Sequence, residues 1–265
     1  MSGNRILWIA TPLKWMDEEA AAKLPTHGNV DAAYFDRIGL DPGYYKPILA
    51  LAQVKGHPYT DIRWNAVGGG GVARARNRIA SEFYASTKND DDTLFWVDYD
   101  LRPTVEDYVK ILSRDLDICG GLYTIRAEKG HWVINKFTNT AVKPTPKGLY
   151  PVMELGTGFK AMKRRVFRRA LETSPWLDCE SDFDHNKREL GFFSMGPVHD
   201  PKFWPGKHRW LTEDYWFDWI CREAGIVCVV DQNVRIRHWD ENRKQLFPTT
   251  FPPLPGELPK EAIEP

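Results

Sequence analysis

Short apolar runs spaced by helix-length segments are what most restrict the fold of this chain. Ile6–Ala10, Tyr59–Val67 and Thr93–Val97 read as buried strands. Between and after them lie three stretches of helical character. Tyr44–Lys55 stops at Gly56, Val72–Ser86 follows the flexible Gly68–Gly71 turn, and a third opens at Pro103-Thr104 and runs through Ser113. In the third, Thr104 suits an N-cap, with Asp107 three residues on. Strands alternating with helices of this size imply a mostly parallel sheet with right-handed crossovers. Ligands of such sheets collect at the carboxyl ends of the strands. The first run is expected to close at Thr11-Pro12, and residues 15–43 to leave the sheet as a turn-rich excursion.

The second half is less regular. Strand-like pieces occur at Asp117–Thr124, Trp132–Phe137, Leu149–Leu155, Gly191–Met195 and Ile226–Val230, and helices at Lys163–Glu172 and Thr212–Ala224. Six of the eighteen residues from Pro248 onward are proline, so residues 248–265 read as an extended tail on one domain spanning 1–247. A chain of 265 residues that is 42% hydrophobic can build a core for such a domain. Its 36 basic and 36 acidic residues argue against a globally basic nucleic-acid binder, while leaving room for a local basic patch. The four cysteines lack CxxC spacing, and three sit in apolar segments, as reduced core thiols do. No run has the length of a membrane span or a signal h-region, so a cytoplasmic setting without a membrane partner is expected. Eleven tryptophans offer flat faces for sugars or bases, or simply fill the core.

The chemistry centres on Leu94-Phe-Trp-Val-Asp98-Tyr-Asp100. Residues two apart in an extended chain project to the same side, so Asp98 and Asp100 can converge just beyond a strand. Two hard carboxylates with phosphate oxygens and water make a site for Mg²⁺ or Mn²⁺, although an Asp-rich turn after a strand has the same look. Glu213 and Asp214 open a helix behind Thr212, either facing a cleft or complementing the helix dipole. Adjacent helical residues point about 100° apart, so only one of the two is expected to face a cleft. His238 follows a strand-like pattern and is either an ordinary histidine or a further metal ligand. Gly68–Gly71 with Arg74-Ala-Arg76-Asn77 offers an anion-accepting helix start or a plain loop, and Gly156-Thr157-Gly158 either lets a ligand approach closely or is a tight turn.

Taken in order, these motifs resemble the nucleotide-sugar glycosyltransferases of the GT-A fold, and among them short phage-type members of the large inverting family. The likeness runs from Ile6 to about Trp239. It is carried by Arg74-Ala-Arg76-Asn77, Phe95-Trp-Val-Asp98-Tyr-Asp100 with Pro103, Gly156-Thr-Gly158-Phe159 with Arg164-Arg165-Val166-Phe167, Thr212-Glu213-Asp214-Tyr215 and His238. Lys14–Gly43 departs from it, being longer than the usual first loop. The resemblance implies an α/β fold of GT-A type, with a mostly parallel central sheet flanked by helices and a less regular acceptor-side half. It implies that Asp98 and Asp100 are a DxD motif binding Mn²⁺ or Mg²⁺ with His238 as third ligand, and that Asp98 also lies near the donor. Arg74 and Asn77 would lie near the nucleotide base and diphosphate, Gly156, Thr157 and Gly158 beside the donor sugar, and Asp214 would act as the base. Glu213, His208 and Trp210 belong to the acceptor side or its loop, with Met195–Trp210 expected to be mobile. The implied donor is a UDP-sugar. The acceptor is a hydroxymethylated pyrimidine in DNA or, alternatively, a cell-surface or soluble glycan. A non-catalytic sugar- or nucleotide-binding module is the alternative of another class.

Overall fold

The computed structural model describes residues 4–13, 32–37, 40–68, 71–126, 131–135, 144–180 and 188–254. Much of the expected excursion over 15–43, the tip of the Gly68–Gly71 turn, the end of the strand expected at Trp132–Phe137 and the tail beyond residue 254 lie outside the described residues.

The first half alternates as its apolar spacing requires: β1 (Arg5–Leu13), α1 (Ala32–Arg37), α2 (Pro42–Leu51), β2 (Tyr59–Gly68), α3 (Val72–Ser86), β3 (Thr93–Val97), α4 (Val105–Leu112) and β4 (Ile118–Tyr123). Thr104 caps α4 and Asp107 reciprocates, completing a capping box. The second half adds β5 (Ile134–Asn135), β6 (Leu149–Val152), β7 (Glu154–Leu155), β8 (Phe159–Lys163), α5 (Arg164–Thr173), β9 (Asp178–Glu180), β10 (Arg188–Leu190), β11 (Gly196–His199), β12 (His208–Leu211), α6 (Glu213–Glu223), β13 (Cys228–Ile236), β14 (His238–Asp240) and β15 (Gln245–Phe247).

Seven strands form the central sheet in the order β2-β1-β3-β8-β4-β13-β6. β1, β2, β3, β4 and β13 share one direction, while β8 runs antiparallel to both β3 and β4, and β6 antiparallel to β13. The sheet is therefore mostly parallel and flanked by helices, an α/β layout as expected. Both faces are covered, which is why the strands read as unbroken apolar runs. Leu7, Ile9, Phe95 and Val97 face one core with α2 and α4, whereas Trp8, Ala10, Leu94 and Trp96 face the other with α3, α5 and α6. Burial of Leu94, Phe95 and Val97 stabilises the fold by roughly 1.5–3 kcal/mol each.

Two expectations are corrected. β1 does not stop at Thr11-Pro12 but continues to Leu13. Beyond Ala10 only β2 pairs with it, so Pro12 and its missing N–H sit where the strand's other side is open. Gly191–Met195 is not a strand. The Asn77 side chain donates to the Phe193 carbonyl at 2.9 Å and accepts from its N–H at 2.7 Å, replacing a ladder partner. All four cysteines are free thiols, with Cys119, Cys221 and Cys228 buried. Residues 248–254 lie against the body, where Phe251 stacks on Trp132 and the Trp132 indole N–H donates to the Pro253 carbonyl at 2.7 Å. Among the described residues no helix is long and apolar enough to cross a membrane.

Candidate functional site

The antiparallel course of β8 shapes the site. Its first residue, Phe159, pairs with Val97, the last residue of β3. The turn Gly156-Thr157-Gly158 that feeds β8 is thereby delivered to the carboxyl end of β3, next to Asp98. The Asp98 N–H donates to the Gly158 carbonyl at 2.8 Å, and the Gly158 N–H donates to Tyr123 Oη at the end of β4, also at 2.8 Å. Both glycines are required by this closeness. A Cβ on Gly156 would run into the Tyr123 hydroxyl, and one on Gly158 would lie 2.9 Å from the same ring and 3.0 Å from Asp98 Oδ2. Thr157 is buried, and its hydroxyl has no hydrogen-bond partner among the described residues.

At the centre stands Arg76, whose side chain is only 3% exposed. Nη1 donates to Glu213 Oε1 at 3.0 Å and also meets Asp214, while Nη2 reaches Asp98 Oδ1 at 3.4 Å. One guanidinium thus joins the end of β3 to the first turn of α6. Burial pulls its pKa down, but the charges of Asp214, Asp98 and Glu213 outweigh that and raise it, so Arg76 stays charged. Burial first, and then the charge of Asp214, lift the Glu213 carboxyl above the usual carboxylate range, with Arg76 pulling the other way. Burial holds Tyr123 as a neutral phenol.

Asp100 takes a different partner, the half-exposed Arg126. Its backbone is strapped to the segment after β13. Trp239 N–H donates to the Asp100 carbonyl at 2.6 Å, Arg102 N–H donates to the Arg237 carbonyl at 3.0 Å, and Leu101 bridges His238. His238 is buried, with its ring edge-on to Tyr123 at 5.6 Å. Asp98, Asp100 and His238 therefore share one corner of the fold. Their side chains are not gathered into a metal-ligand set, however, and no group of three His, Cys, Asp or Glu is so placed among the described residues. Arg76 and Arg126 pair with the two aspartates in this arrangement. The donor types, two hard carboxylates and an imidazole, nevertheless suit Mn²⁺ or Mg²⁺.

The remaining expected residues are spread around this centre. Arg74 and Asn77 leave α3 away from Arg76 and line a separate cavity of about 510 Å³ with Glu189 and Phe193. His208 and Trp210 are exposed on β12, which forms an antiparallel ribbon with β11 in place of the expected loop. That ribbon is held near its turn end. Arg209 makes a bidentate pair with the fully buried Glu154 at 2.8 and 2.9 Å, and Arg222 of α6 pairs with Asp200 at 2.5 Å.

Two contributors, Tyr123 and the Lys160–Asp218 pair, carry no role in the sequence reading, and a third, Arg76, enters it only within the Arg74–Asn77 motif. Arg76 lies on the same helical stripe as the buried Ile79, Ala80 and Phe83, and a charge on an apolar stripe signals a buried partner. Tyr123 gives no such signal, because its contacts depend on β8 arriving from the opposite direction. Lys160 and Asp218 form a fully buried pair in which the Lys160 ammonium also donates to the Leu155 carbonyl at 2.8 Å. Asp218 in turn accepts from the Leu155 N–H at 2.6 Å. This pair locks α6, and with it Glu213 and Asp214, to the residue preceding the glycine turn.

No family model matches the chain, and no curated protein matches it. Solved structures do overlap with it. A197 from STIV is similar at 12% identity and a TM-score of 0.49, over 93% of this chain and 95% of that one. GalNAc-T7 with UDP, GalNAc and Mn²⁺ is similar at 10% identity and a TM-score of 0.42, over 89% and 44%. Apo UDP-glucose pyrophosphorylase is similar at 8% identity and a TM-score of 0.39, over 90% and 77%. Overlaps of this size assign no family, and the functional reading rests on the site itself.

Proposed function

We propose that the chain is a glycosyltransferase that moves a sugar from a nucleotide-sugar donor, a UDP-sugar, to an acceptor hydroxyl. The observation that carries this reading is the meeting of Asp98 with Glu213 and Asp214 on buried Arg76, against the Gly156–Gly158 turn at the carboxyl ends of β3 and β4. Asp98 and Asp100, with His238, would hold Mn²⁺ or Mg²⁺ once Arg126 gives up its pairing with Asp100. When bound, such a cation neutralises a diphosphate leaving group. Asp214 takes the proton from the acceptor hydroxyl as the acceptor oxygen bonds to the anomeric carbon. The bond from that carbon to the donor phosphate breaks, and its electron pair leaves with the nucleotide diphosphate. Arg76 orients the Asp214 carboxylate, and the glycines leave room for the sugar beside Asp98. Glu213 shares Arg76 and keeps the first turn of α6 in place.

A thermal-shift panel of nucleotide sugars, with and without Mn²⁺, tests donor binding, because a ligand that binds only the folded state raises apparent stability. A cation-dependent shift is expected, and it should be lost in Asp98→Asn. Asp214→Asn is expected to lower turnover by about 10²–10⁴-fold while leaving donor binding nearly intact. Full turnover in that variant would remove Asp214 from the mechanism, and a panel with no shift would remove the transferase reading.

A further inference from the structure

We propose that the cavity on the outer side of the first turns of α3 receives the acceptor, and that this acceptor is a neutral saccharide. The word acceptor rests on the transferase reading above; the saccharide site stands on its own observations. The cavity measures about 510 Å³ and is lined by Arg74 and Asn77 of α3, Glu180 and Glu189 of the β9–β10 ribbon, Phe193 and Met195. Small-molecule sites run to roughly 300–1,000 Å³.

Charge selects the class of ligand. Among the described lining residues two carboxylates stand against one guanidinium, and Arg74 lies 3.9 Å from Glu189. A wall with net negative charge repels a phosphate backbone. It suits vicinal hydroxyls, whose protons the carboxylates accept and whose oxygens the guanidinium serves as donor. Met195, one of the lining residues, is 56% exposed. The exposed Met195 thioether there offers apolar surface to the C–H face of a sugar ring. Position ties the cavity to the chemistry. The Phe193 ring packs 5.3 Å from Trp96 and 5.0 Å from Phe217, which lie two residues before Asp98 and three after Asp214. Asn77, next in sequence to Arg76, clamps the Phe193 backbone. Phe193 thus belongs both to the cavity lining and to the packing between β3 and α6, the elements that carry Asp98 and Asp214 at their ends.

Saturation-transfer NMR on the full chain tests the proposal with glucose, galactose, N-acetylglucosamine, rhamnose, maltose and lactose at millimolar concentration. At least one is expected to give a signal without donor or metal. Ala73→Trp, which fills the cavity, should abolish that signal. Glu189→Gln should weaken affinity about tenfold, as loss of a charged hydrogen bond does. If Ala73→Trp does not fold, Glu189→Gln and Glu180→Gln carry the test. No saccharide signal, or a signal that these variants leave intact, overturns the proposal. So does a hydroxymethylcytosine oligonucleotide whose binding the cavity variants remove, since the acceptor would then be nucleic acid. Saccharide binding alongside a failed nucleotide panel would retain this site and reject the transferase reading, and the opposite pattern would do the reverse.

Discussion

Arg76 holds more of the site together than any other side chain. Its two terminal nitrogens serve carboxylates 22 and 138 residues away in sequence. Arg76→Met should therefore lower stability by about 3–5 kcal/mol, the usual result of stripping one partner from a buried ionic cluster, and urea unfolding would measure it. Arg76→Lys should recover little of this loss, because a point-like ammonium cannot bridge both elements. Glu213 makes a prediction in pH. Its folded pKa is raised, so the unfolded carboxyl ionises first, and the folded state loses stability as pH climbs from the unfolded value of about 4.3 through the higher folded one. Glu213→Gln removes that penalty. Its stability relative to wild type should improve between about pH 4 and pH 7, and a difference that stays flat or worsens would refute the assigned burial effect. At this scale the sequence showed Asp98, Asp100, Asp214 and the two glycines as residues of interest. It did not show which cation each aspartate meets, because Arg76 and Arg126 reach them only through tertiary packing.

Among the elements, α3, β3 and α4 were legible almost to the residue, since each carries its own signal in a cap, a period or an apolar run. β11 and β12 were not, because a ribbon set by Arg209 on Glu154 and Arg222 on Asp200 depends on partners far away in sequence. The strand expected at Gly191–Met195 failed for the same reason, with Asn77 standing in for a neighbouring strand. The Lys160–Asp218 pair sets the place of α6 against β8. Lys160→Met leaves a buried carboxylate without its cation and should cost about 3–5 kcal/mol. Lys160→Met combined with Asp218→Leu should cost less than the single change, because a buried ion pair is often replaceable by apolar residues. Denaturant midpoints of the two variants decide it: a double variant weaker than the single would mean that the Leu155 backbone contacts, not the charges, dominate.

For the whole molecule, the strand–helix alternation announced the α/β class, yet the sheet order could not be read in advance. β8 returns antiparallel between β3 and β4, and β13 enters between β4 and β6. A fragment ending at residue 211 retains the regular half and looks separable, but it lacks both α6 and β13. It should show no cooperative thermal transition by circular dichroism, and a sharp transition would mean that the first half folds by itself. The late arrival of β13 matters most while the protein is being made. Until residue 236 has left the ribosome, Ile118–Tyr123 presents bare amides and carbonyls along one side. A nascent chain in that condition invites pairing with its neighbours, and the danger passes only with the last strand of the sheet.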